Sequence, residues 1–395
     1  AARSQLVADP AELFDLAAGL SYAVVDREGA VMSDGYLVPG APDGMGCFAG
    51  PSSDQVVLLR NHELGGFWDP GGGPLAEGQS PPPEAYDREA SGGVTRVVFD
   101  LKRRAVVSSN LVLTGTMRNC AGGVGFGGWL TCEEDTSDHH GYVFACAPET
   151  DRVARPQKLA HYGRFRHEAA VVDPVTQIAY LTEDQGDSAF YRFLPDQPSS
   201  PHRGRLQALS IQGEKPGFDT SPLLRSDARM AVHWVDIARP DSPRDDVRHQ
   251  AQEAGAAVFR RGEGIVRASD TGTIFFTATT GGPVGKGQVF VFEPSASSLR
   301  VWAASSDPAE LHMPDNITTA PWGGLVVCED GAGPYNYLRS LSADGRVVDL
   351  GCNVNSGGEI TGACFDPSGR VLFASLQREG ITLAITGDWR RALQG

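Results

Sequence analysis

The chain has 395 residues, with 49 acidic and 34 basic side chains and a formal net charge of −15. This acidic balance argues against a nucleic-acid backbone or an anionic membrane as the main partner. No stretch approaches the roughly 18 uncharged apolar residues of a membrane-spanning helix. The hydrophobic fraction of 41% is ample for a packed core, and all-β barrels and propellers reach this length as single domains. We therefore expect one globular domain over residues 1–395, without a membrane span.

The first residue is Ala1 rather than Met, and the opening Ala-Ala is compatible with the region after a signal cleavage site. We therefore expect an exported protein, periplasmic or extracellular. The seven cysteines are too few and too widely spaced for a disulfide framework, and their odd number leaves at least one thiol unpaired. One of these thiols is a candidate metal ligand.

In chain order, a short helix is predicted over residues 10–18, where Leu13, Phe14 and Leu16 give a weak apolar face. After it, β signals dominate, because short apolar runs recur between turns that are rich in Gly, Asp and Pro. These runs lie at residues 56–59, 94–99, 129–132, 142–145, 169–172, 178–182, 190–193, 273–277, 289–292, 325–328 and 371–376.

Several of these runs follow an Asp-Pro turn or a similar one. Examples are Asp173-Pro174 and Asp366-Pro367. A turn followed by a strand, repeated at intervals of tens of residues, is typical of propeller blades. The sequence thus predicts an all-β fold, a β-propeller of five or six blades, with short helical and loop insertions. Residues 71–89 and 195–250 contain many prolines, and we expect both segments to be surface insertions rather than separate domains.

Acidic residues stand beside other potential ligands in seven short segments, several of which end a strand-like run. The segments are Asn61-His62-Glu63, Cys132-Glu133-Glu134, His167-Glu168, Glu183-Asp184, Asp315-Asn316, Glu329-Asp330 and Glu359-Ile360-Thr361. A propeller would bring distant carboxylates together at one pole, where they repel one another and lose hydration, so they need cations to stay ionised. The sequence therefore predicts a site for hard metal ions. Oxygen ligands suit calcium, and a nearby thiolate such as Cys120 widens the choice towards iron.

Two further motifs bear on the chemistry. Arg260-Arg261-Gly262-Glu263 places guanidinium groups close to a carboxylate, and Arg matches a phosphoryl group by bidentate hydrogen bonds, although an exposed salt-bridging turn has the same pattern. His139-His140 resembles a metal-binding pair, but a surface loop is the favoured interpretation. The sequence contains no Gly-x-Ser-x-Gly elbow and no phosphate-cradling loop with Lys-Ser/Thr, so covalent serine chemistry has no support.

Taken in order, a set of segments resembles the PhoX family of bacterial alkaline phosphatases over nearly the whole chain. The segments are Asp43-Gly44-Met45, Asn61-His62-Glu63, Gly92-Gly93-Val94-Thr95-Arg96, Asn119-Cys120-Ala121-Gly122-Gly123, Trp129-Leu130-Thr131-Cys132-Glu133-Glu134, Arg164-Phe165-Arg166-His167-Glu168, Tyr180-Leu181-Thr182-Glu183-Asp184, Phe190-Tyr191-Arg192-Phe193, Pro314-Asp315-Asn316-Ile317 and residues 381–389. The resemblance implies a β-propeller whose axial end holds ferric iron (Fe3+) and calcium (Ca2+) ions bridged by an oxo group. It also implies hydrolysis of phosphate monoesters and export, typically by the twin-arginine route.

Carried over position by position, the resemblance implies specific roles. Cys120 would be the thiolate ligand of iron, and Glu168 and Glu263 would be carboxylates of the metal cluster. Arg261 would hold the substrate phosphate, and Glu134 is also taken as a catalytic residue. The further metal ligands that it implies are Glu134, Glu183, Asp184, Glu359, Glu63, Asp315 and Asn316. In the implied mechanism a metal-bound oxo or hydroxo group attacks phosphorus, and the arginine stabilises charge on the equatorial oxygens.

Two alternatives stay open at this point. A calcium-dependent lactonase or esterase on a propeller would need one calcium ion, no iron and no role for Cys120. A propeller that binds a ligand without catalysis would use its metals for structure only. For the favoured phosphatase we expect a small-molecule phosphate ester as substrate, no nucleic-acid partner and a monomer.

Overall fold

The computed structural model describes residues 6–65, 71–307, 309 and 311–394. The chain divides into two compact units. Unit 1 comprises Ala1–Asn119, Cys146–Pro156 and Asn316–Gly395, and unit 2 comprises Cys120–Ala145 and Gln157–Asp315. The prediction of one propeller domain over residues 1–395 stays a prediction. Within the described ranges, no helix is long and apolar enough to cross a membrane.

The secondary structure of the described residues is almost entirely β. The first strands are β1 (Leu6–Val7), β2 (Phe14–Ala17), β3 (Leu20–Arg27), β4 (Pro42–Ala49), β5 (Gln55–His62), β6 (Gly92–Asp100), β7 (Ala105–Thr116), β8 (Asn119–Gly125), β9 (Gly128–Glu133), β10 (Val143–Cys146), β11 (Gln157–Lys158), β12 (His167–Val172), β13 (Ala179–Glu183) and β14 (Tyr191–Pro195). The remaining strands are β15 (Gly204–Ile211), β16 (Met230–Asp236), β17 (Gly262–Arg267), β18 (Ile274–Ala278), β19 (Gln288–Glu293), β20 (Ser298–Ala304), β21 (Pro314–Thr319), β22 (Leu325–Glu329), β23 (Tyr337–Leu341), β24 (Val347–Asn353), β25 (Ile360–Phe365), β26 (Leu372–Leu376) and β27 (Ile381–Gly387). The helices are α1 (Val247–Glu253), α2 (Trp389–Ala392) and the 3-10 turns Ala160–Tyr162 and Pro294–Ala296.

Unit 1 is built on three sheets. Their strand orders are β4-β5-β6-β7, β25-β26-β27-β3 and β1-β2-β24-β23-β22-β21. The first two are antiparallel throughout. The pairing of β27 with β3 joins the two ends of the chain in one sheet, because Leu383 lies opposite Val24.

Unit 2 contains a four-stranded sheet, in the order β11-β10-β9-β8, and a nine-stranded one, in the order β12-β13-β14-β15-β16-β20-β19-β18-β17. In the larger sheet, β12–β15 and β17–β20 each form four consecutive antiparallel strands. Among the described residues, β16 and β20 join the two halves through the pairs Met230 with Leu299 and Ala231 with Ser298. Four-stranded antiparallel sheets are the blades of propellers. The all-β prediction is confirmed and the sheets are propeller-like, whereas the blade number stays a prediction.

Aromatic packing holds the two halves of the nine-stranded sheet together. The Phe190 ring, at the start of β14, stacks on Phe276 of β18 with centroids 4.0 Å apart and planes 6° from parallel. Phe276 in turn stacks on Phe290 of β19 at 5.2 Å. These rings belong to one buried cluster, and large buried aromatic rings supply much of the free energy of such packing. The packing therefore connects the two halves of the sheet through its interior.

The prediction of a helix over residues 10–18 is wrong. The Asp9 carboxylate accepts hydrogen bonds from the backbone N–H groups of Ala11, Leu13 and Phe14, so this backbone closes a turn instead of a helix. Residues 14–17 then form β2, which pairs with β24 and β1. Tertiary pairing overrides the weak helical pattern.

Each predicted strand-like run overlaps an observed strand. Residues 71–89 contain no helix or strand in the described structure. Residues 195–250 differ from the expected surface insertion, because they contribute β15, β16 and α1. The prolines and mixed charges around Met230–Asp236 hide the strand character of β16, although the strand itself is largely apolar.

Candidate metal centre

Three predicted ligands come together near the starts of β8 and β12 in unit 2. Cys120 is the second residue of β8, Glu134 directly follows β9, and Glu168 is the second residue of β12. All three are buried, and one ligand atom from each lies within 4.8 Å of the others. This group offers one sulfur and two carboxylates, a donor set that suits a transition metal such as iron.

Two glycines explain how β8 approaches its neighbours so closely. A Cβ atom on Gly122 would lie 1.9 Å from the Leu130 carbonyl oxygen of β9, and one on Gly123 would lie 2.0 Å from the Ala170 carbonyl oxygen of β12. Any larger residue would push these strands apart. The Asn-Cys-Ala-Gly-Gly motif therefore has a structural reason: its glycines bring Cys120 towards the two glutamates.

A second group shares Glu168 with the first. Glu168, Glu263 and Asp315 are buried and have carboxylate oxygens within 4.8 Å of one another. The residue register shifts at Glu168 in β12 and at Glu263 in β17, so both strands are irregular where they carry these acids. Such β-bulges re-aim side chains and are common next to active sites. Each glutamate is thus the second residue of a strand and lies in a β-bulge.

Threonines on neighbouring strands fix the backbone of this second group. The Thr182 hydroxyl donates to the Glu263 carbonyl oxygen at 2.5 Å, and the Thr277 hydroxyl donates to the Asp315 carbonyl oxygen at 3.0 Å. Thr182 and Thr277 are fully buried. Sequence reasoning missed these two residues, and the only available signal was a threonine near the end of an apolar run.

The electrostatics of the second group favour a bound cation. Burial raises the pKa of Glu263 well above its usual range, and the charges of Asp184, Glu168 and Asp315 raise it further, whereas Arg261 opposes the shift. Carboxylates that are this close and this buried cannot all ionise unless positive charge is supplied. A multivalent ion would supply it, so the donor set fits a metal.

Arg261 lies beside this group and is held by two acids. Its Nε and Nη2 atoms donate to the two Asp184 carboxylate oxygens at 2.8 and 2.9 Å, and Nη2 also donates to Glu263 Oε1 at 2.5 Å. Although burial opposes it, the charges of Glu263 and Asp184 raise the pKa of Arg261 above its usual value. The backbone is left-handed at this residue, with φ of 56°. The guanidinium group therefore stays charged, with Nη1 free of any bond to a described residue.

Glu183 has other partners in unit 2. It is fully buried, accepts a hydrogen bond from the Tyr191 hydroxyl at 2.6 Å and lies 3.5 Å from the Arg248 guanidinium group. Burial raises its pKa to about 8, although Tyr191 and Arg248 oppose this shift. Within the described part of unit 2, neither Glu183 nor Asp184 joins the two groups of potential ligands.

The remaining predicted ligands belong to unit 1. The Glu63 carboxylate accepts hydrogen bonds from Arg118 at 2.6 Å and from Gln377 at 2.9 Å, and it lies within 4.8 Å of the Asp43 carboxylate. Glu359 has a carboxylate oxygen within 4.8 Å of Asp330. Asp43 and Asp330 were absent from the predicted ligand set, although Asp43-Gly44 and Glu329-Asp330 both stood out in the sequence.

Two other predicted polar groups make hydrogen bonds that stabilise the fold. The Asn316 amide oxygen accepts a hydrogen bond from the Gly362 N–H at 2.7 Å. Glu329 pairs with the Arg339 guanidinium group at 2.7 Å.

The preferred interpretation of His140 as a surface residue is wrong. Its side chain is buried, and its Nδ1 lies 2.7 Å from Glu133 Oε1. The other Glu133 oxygen accepts hydrogen bonds from the N–H groups of Gly141 and Tyr142. This contact closes the turn after β9 and so fixes the backbone next to Glu134.

The described geometry defines an all-β, propeller-like protein with buried thiol and carboxylate groups, which could hold a metal ion, at the ends of its strands. A family model for alkaline phosphatase PhoX matches residues 2–380. Among curated protein sequences, none matches this chain. The structure of Pseudomonas fluorescens PhoX in complex with vanadate, a transition state analogue, is similar with a TM-score of 0.74 and 16% identity, and the match covers 95% of this chain and 96% of that chain.

Two further structures are less similar. A structural genomics protein of unknown function from Bacteroides thetaiotaomicron has a TM-score of 0.50 and 9% identity, covering 93% of this chain and 76% of that chain. The periplasmic gluconolactonase PpgL of Pseudomonas aeruginosa has a TM-score of 0.47 and 13% identity over 95% of this chain and 93% of that chain, which is too low to carry an argument. The chain belongs to the PhoX family of alkaline phosphatases. It is accordingly a metal-dependent phosphoric monoester hydrolase.

Proposed function

We propose that this protein hydrolyses phosphate esters of small molecules at the centre formed by Cys120, Glu134, Glu168, Glu263 and Asp315. The observation that carries the proposal is the shared Glu168, which belongs both to the thiol-containing group and to the all-carboxylate group. One carboxylate that reaches two ligand sets can bridge two cations. The vanadate complex of the Pseudomonas fluorescens relative supports a phosphoryl group as the reacting part of the substrate.

We assign the two groups to different ions. The thiol of Cys120 favours Fe3+ in the group with Glu134 and Glu168, and the oxygen-only donors of Glu168, Glu263 and Asp315 favour Ca2+. When bound, these cations supply positive charge for the phosphoryl oxygens and activate water. The other predicted ligands stay candidates; they are Glu183, Asp184, Glu63, Glu359 and Asn316.

The protein itself supplies orientation and a fixed positive charge. The Asp184 carboxylate accepts hydrogen bonds from two nitrogens of Arg261. The Arg261 side chain is therefore already ordered and loses little further entropy when a substrate binds. Its Nη1 can then donate to a phosphoryl oxygen, and the raised pKa keeps this donor charged at alkaline pH. Glu134, directly after β9, completes the acidic side of the centre. We further propose that the protein is exported and acts as a monomer.

Replacing Arg261 tests whether its guanidinium group binds the substrate phosphate. In Arg261→Ala, hydrolysis of a generic phosphate monoester at alkaline pH should fall about 100-fold or more, because a charged donor to the transition state is lost. The matched control is Arg260→Ala, since Arg260 is the neighbouring guanidinium group and pairs with Asp219 and the Gly186 carbonyl. Equal activities of the two variants would contradict the role of Arg261.

Metal analysis of the purified protein tests the assignment of ions. We expect both iron and calcium, with iron lost selectively in Cys120→Ala. One calcium per chain without iron would overturn the assignment and favour the lactonase alternative. A protein that is loaded with both metals but releases no phosphate would instead favour a binding propeller.

A further inference from the structure

A cavity of about 490 Å³ lies in unit 2 at the other end of the strands that carry the metal centre. It opens beside the turns that follow β12 and β17, whereas Glu168 and Glu263 are the second residues of those strands. A strand of six residues spans roughly 15–20 Å, so the cavity is separate from the centre. Its volume falls within the range of small-molecule sites, about 300–1,000 Å³.

A tyrosine side chain forms part of the wall of this cavity. Tyr180 is only 2% exposed, and its ring packs against Phe292 with centroids 5.6 Å apart. Its hydroxyl has no hydrogen-bond partner among the described residues, although Tyr180 lines the cavity. This hydroxyl can therefore donate a hydrogen bond to a ligand in the cavity.

Arg192 lies beside that hydroxyl, because Tyr180 and Arg192 are cross-strand partners in β13 and β14. The guanidinium group sits 4.4 Å above the Trp234 ring, and its Nε donates to Gln207 at 2.8 Å. These contacts hold the group in place and leave both Nη atoms without a bond to a described residue. Burial lowers the pKa of Arg192, so an anion in the cavity would be favourable.

Arg267 brings a second guanidinium group from β17. Its Nε donates to Asp173 Oδ2 at 2.8 Å, and the other Asp173 oxygen accepts from Thr176 and Val175. Asp173 thus orients Arg267, and the hydrogen bond uses only the Nε donor of the guanidinium group. Asp270, the other carboxylate among the described lining residues, is exposed.

We propose that this cavity is a second oxyanion site, which binds free phosphate or the phosphoryl group of a small phosphorylated molecule. Arg192, Arg267 and the Tyr180 hydroxyl converge as donors, and guanidinium forks match tetrahedral oxyanions by bidentate hydrogen bonds. The cavity is larger than phosphate alone, so an organic group has room against Phe292. Asp270 would repel a ligand with negative charge at both ends, which selects ligands charged at one end only.

Calorimetric titration of the metal-loaded enzyme with inorganic phosphate tests the site. One binding event should be lost or weakened roughly 100-fold in Arg192→Gln, and weakened roughly tenfold in Tyr180→Phe, while kcat is unchanged in both. The matched control is Arg244→Gln, because Arg244 is exposed and lies in the loop before α1. Tyr180→Phe removes only one oxygen atom and decides the matter if Arg192→Gln does not fold.

A second titration uses phenylphosphonate, which a phosphatase does not hydrolyse. Tighter binding than phosphate at the event that depends on Arg192 would identify an organic phosphoryl compound as the ligand, and weaker binding would identify free phosphate. Isotherms of Arg192→Gln and Tyr180→Phe that match the wild type would overturn the proposal. Because binding is measured without turnover, this outcome is independent of the phosphatase assays.

Discussion

At the scale of single residues, Arg60 is a buried charge of unit 1 that two neighbouring strands hold through hydrogen bonds. Its side chain is 1% exposed, and its two Nη atoms donate to the two Asp26 carboxylate oxygens at 2.6 and 2.9 Å. Nη1 also donates to the Thr382 hydroxyl at 2.6 Å. One guanidinium group thus joins β5 to β3 and β27. Removing it would leave a carboxylate with little access to water and without its charged partner.

We expect Arg60→Met to lower the free energy of unfolding by about 3–5 kcal/mol, because breaking a buried ion pair strands the remaining charge. The matched control is Lys102→Met, since Lys102 is 75% exposed and pairs with Asp54 at the surface, where such a pair contributes about 0–1 kcal/mol. Denaturant unfolding of both variants measures the difference. Similar losses in the two would show that burial does not set the strength of the Arg60 pair.

At the scale of secondary-structure elements, the close approach of β8 to β9 decides where the Cys120 thiol lies. Gly122→Ala would place a methyl group 1.9 Å from the Leu130 carbonyl oxygen, so the strands must separate. We expect the free energy of unfolding to fall by about 2–4 kcal/mol and iron content to fall with it. Thermal unfolding and metal analysis of the same preparation measure both effects.

Gly186→Ala is the control for the effect of Gly122→Ala on stability and iron content. A Cβ atom on Gly186 meets no other atom within 4 Å, so the added methyl group should leave stability and iron content close to the wild-type values. If Gly122→Ala kept its full iron content, the close packing of β8 would not be what positions Cys120.

At the scale of the whole molecule, stability should depend on pH through buried histidine. Burial lowers the pKa of His161 to about 4, and the neighbouring His202 adds to this shift. The unfolded chain has the ordinary value of about 6.5. Between these values His161 binds more protons in the unfolded state, so its contribution to the free energy of unfolding should fall as the pH falls from about 6.5 to 4.

We expect this histidine to contribute at most about 2 kcal/mol across that pH range, since His161 is partly exposed and solvent screens the effect. His161→Gln should remove this contribution and leave that of His167, whose pKa burial lowers to about 3. His233→Gln, which alters an exposed histidine, should keep the full pH dependence. Denaturant unfolding at several pH values provides the test. Parallel curves for His161→Gln and the wild type would refute the assignment.

Much of the strand content was readable from the sequence because apolar runs between turn residues leave a local signal. The predicted run at 169–172 lies within β12, and the run at 325–328 lies within β22. Residues 10–18 were misread, because the Asp9 turn and the pairing of β2 with β24 are tertiary facts that outweigh a weak helical pattern. β16 was missed although five of its seven residues are apolar, because it lies in a segment of mixed charge with several prolines that is typical of a surface loop.

The sequence by itself determined that acids recur beside strand ends, that a thiol sits in a glycine-rich motif, and that the chain resembles one family of phosphatases. Only the tertiary structure decided which acids meet. Glu168 and Glu263 come together because β12 and β17, the two edge strands of the nine-stranded sheet, contact each other and both bulge at these residues. Glu183, one residue from Asp184, pairs instead with Tyr191. A local pattern records residue type and spacing, but the distance between residues about 100 positions apart depends on how the sheets pack.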